Sequence, residues 1–265
     1  MTMTHQPRHS WILGVVFAGA LTFALAGCGG DDDGPTNPGG GNPTPDAFDQ
    51  ATAMTQAEAA ANQAVDLVES MADIAAGFTK EGEKDYAWNE QTQRWEYDYT
   101  FTGDGYVYDW LYTVQYLGPD GTPQQTPQGA TTVAHAMNGT GSYRFVGDGA
   151  VLDYDYVYEY ATTITGVGSG TMVMTGGGGQ DIDYTYTSPQ GNYAATYDVG
   201  WEILPPGITV SGSGCPVGTI RYDFAPYHAL VVFDGGSMAT STLYDGAGSP
   251  VAGGGRTHPL SCGTR

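Results

Sequence analysis

The stretch "LDYDYVYEY", residues 152–160, places Leu152, Tyr154, Tyr156, Tyr158 and Tyr160 at every second position, with charged residues and Val157 between them. A period of two is the period of a β-strand, whose successive side chains point to opposite faces. Burying a tyrosine ring removes roughly 150 Å² from water, a gain of about 3–4 kcal/mol at most. Burying an unpaired carboxylate costs several kcal/mol. Such a segment therefore turns its rings inward and its acids outward.

The same alternation recurs along the chain. It aligns Trp95, Tyr97, Tyr99 and Phe101, then Tyr106, Tyr108, Trp110, Tyr112, Val114 and Tyr116. It returns with Ile182, Tyr184 and Tyr186, and with Tyr193, Tyr197, Val199, Trp201 and Ile203. Further strands are expected near 131–137, 141–146, 170–175, 218–224, 229–233 and 238–244. Asp104-Gly105, Asp120-Gly121, Asp148-Gly149, Asp234-Gly235, Asp245-Gly246 and Asn138-Gly139 read as tight turns, because these pairs tolerate positive φ. Strands joined by tight turns pair antiparallel. The expectation is a mainly β domain over 79–265, an α+β arrangement with one helix. Its sheet is a strongly curved antiparallel meander, or a closed or partly open barrel, of about ten to twelve strands.

Residues 47–78 differ. They are Ala-rich and free of Pro, and Ala61, Ala64, Val65, Val68, Met71, Ala72 and Ala75 recur at helical spacing. Asn62, Asp66, Glu69 and Asp73 fall on the opposite side. One long amphipathic helix is expected here, capped by Asp46, closed by Gly77 and packed on the sheet.

The first 27 residues carry Arg8 and then the apolar run "WILGVVFAGALTFALAG", which is short for a membrane span. The run ends in Leu25-Ala26-Gly27-Cys28. This order resembles the lipobox of bacterial lipoproteins. The resemblance implies a signal peptide over 1–27, lipidation of Cys28 with diacylglycerol and palmitate, and anchorage in a membrane. Gly29 rather than Asp after the cysteine points to the outer membrane, on its periplasmic or surface-exposed side. Residues 28–46, rich in Gly, Pro and Asp, form a flexible tether.

Cleavage leaves 7 basic residues against 29 acidic ones. That balance argues against nucleic acid, which needs clustered Lys and Arg. Cys215 and Cys262 then remain, and an even pair in an oxidising envelope reads as a disulfide.

Catalytic motifs are scarce. No GxSxG, HExxH or P-loop lysine occurs, "GGSMA" (235–239) leads into strand-like sequence, and His135, His228 and His258 are isolated. "GGGGQDIDY" (176–184) resembles a single calcium-binding repeat of toxin-type β-rolls, with Asp183 where an apolar residue belongs and no second copy. No metal, cofactor or catalytic residue is expected. A transmembrane barrel fits the alternation. It is opposed by the lipobox, by Gly-broken strands and by the non-aromatic ending "PLSCGTR".

Tyrosine is a demanding choice for a dry core, because each hydroxyl wants a partner. An aromatic face suits an amphipathic guest: a lipid, glycan or aromatic metabolite. The candidate ligand-binding residues are Trp95, Tyr97, Tyr99, Tyr108, Trp110, Tyr154, Tyr156, Tyr158 and Trp201. The expected function is binding of such a guest, or of an envelope partner, without catalysis. The alternative is a structural or surface-display module without ligand. A carboxylate-dependent hydrolase has the least support.

Overall fold

The computed structural model describes residues 48–76, 86–103, 105–147, 149–189, 191–212 and 214–262. The signal peptide, Cys28 and the tether all lie outside these residues, as do the expected cap Asp46 and the closing Gly77.

One helix, α1 (Gln50–Ala76), precedes the strands. Its N-cap is Asp49, whose carboxylate accepts the Thr52 backbone N–H at 2.7 Å. The apolar stripe is buried as expected at Ala61, Ala64, Val68, Met71 and Ala75, while Asn62 and Asp66 are exposed. The stripe extends further than expected, to Ala53, Ala57, Ala60 and Ile74.

The strands are β1 (Ala87–Asn89), β2 (Arg94–Gly103), β3 (Tyr106–Leu117), β4 (Pro123–Gln124), β5 (Thr132–Gly147) and β6 (Ala150–Thr165). They continue as β7 (Thr171–Ser188), β8 (Gly191–Ile203), β9 (Ile208–Ser211), β10 (Val217–Phe224), β11 (Tyr227–Asp234), β12 (Met238–Tyr244) and β13 (Pro250–Pro259). All thirteen belong to one antiparallel sheet in the order β1-β2-β3-β5-β6-β7-β8-β10-β11-β12-β13. Two short strands lie off that path: β4 on β3, and β9 bridging β7 and β10.

Two expected boundaries are corrected. Asn138-Gly139 is not a turn. β5 runs straight through it, so the strands expected at 131–137 and 141–146 are one. Likewise Gly176–Gly179 lies inside β7, which unites 170–175 with 182–187 and pairs with β6 and β8. That antiparallel setting removes the likeness of 176–184 to a β-roll repeat. Positive φ occurs at the turn glycines Gly105, Gly121, Gly149 and Gly235, but not at Gly246, and it also occurs inside β7 at Gly176.

The inner face of the sheet carries two apolar clusters. In the first, α1 packs chiefly on β11, β12 and β13, with β10 and β5. Its core includes Val114, Tyr116, Val133, Ile164, Met174, Ile220, Phe224 and Val231. The second is built from Tyr108, Trp110, Tyr112, Met137, Tyr154, Tyr156, Tyr158 and Ile182. Tyr86 and Tyr197 pack against both. A disulfide joins Cys215, just before β10, to Cys262, just after β13, with Cα atoms 5.0 Å apart.

Candidate binding face

Strand register brings the expected ligand-binding residues onto one face. Tyr99, Trp110, Gly139, Tyr158, Gln180 and Val199 lie side by side across six neighbouring strands. Tyr97, Tyr112, Met137, Tyr160, Gly178 and Trp201 make the next row toward α1. Phe101, Tyr108, Gly141, Tyr156, Ile182 and Tyr197 make the next row toward the hairpin tips. Trp95 sits opposite Val114, and Tyr154 pairs with Tyr143 and Tyr184. All nine residues therefore share the inner face.

Glycine explains how large rings bury themselves here. A Cβ on Gly139 would stand 2.1 Å from Cδ1 of Trp110, and one on Gly141 would stand 2.3 Å from Cζ of Tyr156. The indole and the phenol thus lie down across β5, each over a glycine, instead of standing upright. Trp110 is 1% exposed, and Tyr156 is 8% exposed. Tyr97 and Tyr112 stack at 6.0 Å, and Tyr106 and Tyr143 at 4.2 Å.

Near α1 the face becomes polar. The Tyr160 hydroxyl lies 3.2 Å from Nδ1 and 3.1 Å from Nε2 of the buried His135. Burial alone pulls the His135 pKa down to about 4, so the imidazole is neutral near pH 7. Desolvation pushes Tyr112, Tyr158 and Tyr160 well above the usual phenol range, and pushes Tyr108 up to about 12. Neighbouring phenols add to the shift, Tyr86 foremost at Tyr112. The Trp201 N–H approaches Tyr158 closely enough to offset part of that phenol's shift, but it makes no full hydrogen bond. Tyr112 Oη and Thr162 Oγ1 are also buried without a hydrogen-bond partner among the described residues.

At the opposite end the same face opens to solvent. Phe101 is 43% exposed, Phe145 51% and Tyr193 39%. The sequence reading aligns Tyr160 with its strand and notes His135 as isolated, but it places neither of them, nor Thr162, among the candidate binding residues. Tyr160 and Thr162 extend the alternation of Tyr154–Tyr158, but His135 carries no local signal and is located only by strand pairing.

The other histidines do not converge with His135. His228 stacks on Tyr244 at 5.0 Å. It lines a separate cavity of about 420 Å³ between the β10–β11 and β12–β13 turns, together with Arg221, Asp223 and Asp245. Nε2 of His258 lies 3.1 Å from Oγ of Ser241. Ser241 is 1% exposed, so this pair lies within the packed sheet and apart from His135. No group of three or more His, Cys, Asp or Glu among the described residues could hold a metal ion.

No family model, no curated protein and no solved structure matches this chain.

Proposed function

We propose that this is a lipid-anchored component of the bacterial envelope, held through Cys28 at the outer membrane. Its sheet curls into a partly open barrel whose ring-bearing face binds an amphipathic small molecule without catalysing a reaction. The observation that carries the reading is the inner face of β2–β8, where rings recur in successive rows from half-exposed ones at the hairpin tips to a polar centre toward α1. Ring burial supports the curvature. Tyr112, Tyr154 and Tyr158 are each 5–7% exposed, although α1 packs mainly on the other half of the sheet, so the rings cover one another across a concave surface. Large aromatic area with a few convergent polar groups is the usual composition of a small-molecule site.

Native mass spectrometry of the full chain after mild detergent extraction tests the reading. A co-purifying mass of a few hundred daltons is the expected result; bare protein across independent preparations counts against a carrier. A second reading has its own support. The rings fill much of the interior themselves, and Phe145 and Val146 stand 51% and 67% exposed beside the β5–β6 tip. Both features suit a display module that meets a partner at its tips.

A further inference from the structure

The charge pattern of the inner face narrows the guest, given the binding reading above. Across β2–β8 that face holds aromatic, aliphatic, glycine and neutral polar residues. The alternation sends Arg94, Asp98, Asp109, Asp153 and Asp155 to the other side. Arg144 is on that outer side too, bound to Asp153 at 3.1 Å. A carboxylate or phosphate drawn in among the rings would meet no cation from these strands. An unpaired buried charge costs several kcal/mol, more than a short apolar contact returns. His135 does not supply the missing charge, because burial keeps it neutral.

Hydrogen-bonding capacity, by contrast, is in surplus. Among the described residues Tyr112 Oη and Thr162 Oγ1 have no hydrogen-bond partner, on residues 5% and 3% exposed. Their strands, β3 and β6, flank β5, and their positions are one row apart. Each hydroxyl can donate one hydrogen bond. Leaving one unsatisfied carries a desolvation cost, which a guest oxygen would recover. The half-buried Tyr86 and Tyr197 pack against both clusters, at the border between the aromatic rows and the core under α1.

We propose that the ring-bearing face takes an uncharged, planar ring compound with a carbonyl or hydroxyl oxygen. The oxygen is held by Tyr112 and Thr162, and fatty acids and phospholipids are refused. Three probes on one ring system separate the contributions: 9-fluorenone, fluorene and fluorene-9-carboxylate, with palmitate as a chain anion. Each is titrated against the full chain and read by native mass spectrometry. Fluorenone is expected to bind at least tenfold more tightly than fluorene, and neither anion is expected to bind. The Tyr112→Phe/Thr162→Val double variant should lose the advantage of fluorenone while holding fluorene as before. If fluorene-9-carboxylate or palmitate binds as well as fluorenone, or if the double variant keeps the preference, the assignment of guest class is overturned while the binding reading stands. If none of the four binds, the binding reading itself falls.

Discussion

Replacing Gly139 by alanine tests how the ring-bearing face is built. The new methyl would stand 2.1 Å from Cδ1, 2.8 Å from Cγ and 2.9 Å from Nε1 of Trp110, a ring that is 1% exposed and would have to shift within the core. Overpacking of this kind costs about 1–3 kcal/mol. Alanine also returns about 0.5–1 kcal/mol by restricting the unfolded chain more than glycine does. The net expectation is a loss of about 1–2 kcal/mol. With a urea slope of about 2 kcal/mol/M, the midpoint should fall by about 0.5–1 M. Gly200→Ala is the matched control: its Cβ would meet nothing nearer than the Gly178 carbonyl oxygen at 4.0 Å, so the midpoint should hold or rise. Urea unfolding followed by tryptophan emission measures both. Combining Gly139→Ala with Trp110→Leu should relieve most of the clash, giving a coupling of about 1 kcal/mol in a double-mutant cycle. If Gly139→Ala keeps the wild-type midpoint and emission, the indole does not lie across β5, and the account of ring burial is wrong.

Two further outcomes follow from other parts of the fold. Reducing the Cys215–Cys262 bond, which spans a sequence separation of 47, should cost about 4 kcal/mol by the chain-entropy relation, read as a lower melting temperature in the presence of a phosphine reductant. His135 has a folded pKa of about 4 against 6.5 in the open chain, so the unfolded state takes up its proton first as the pH falls. Stability should therefore be intact above pH 6.5 and decline between 6.5 and about 4, by up to roughly 3 kcal/mol from this group. In His135→Gln that part of the slope should vanish from urea midpoints measured across the range.

What could be read in advance was whatever depends on periodicity within one segment. The alternation at 94–101, 106–116 and 152–160 is local, and it places each ring on the correct face of its own strand. The amphipathic spacing of α1 is local in the same sense. Glycine misled because one residue serves two ends. At Gly149 it supplies a positive φ that closes a hairpin, whereas at Gly139 it supplies the space left by a missing side chain. Nothing in "MNGTG" separates these uses, since the reason for Gly139 is Trp110, 29 positions earlier and on the neighbouring strand. The edge elements were silent for a related reason. β13 ("PVAGGGRTHP") has no alternation of its own, and it becomes a strand because β12 offers it hydrogen bonds across a bulge.

The polar centre shows the same limit from the side of function. His135 and Tyr160 are 25 residues apart, and only the register of β5 on β6 brings the phenol to the imidazole. Once they meet, the chemistry is constrained. A neutral imidazole, raised phenols and two hydroxyls without partners among the described residues make a cluster that can share hydrogen bonds but holds no formal charge near neutral pH. The chain carries 29 acids against 8 basic residues, and the acids of β2, β3 and β6 on the outer side disfavour an approaching anion. On the binding reading proposed above, inside and outside select in the same direction. A guest that reaches the rings of β3, β5 and β6 must leave its hydration without bringing a charge, and it gains most if one oxygen can take what Tyr112 and Thr162 have to give.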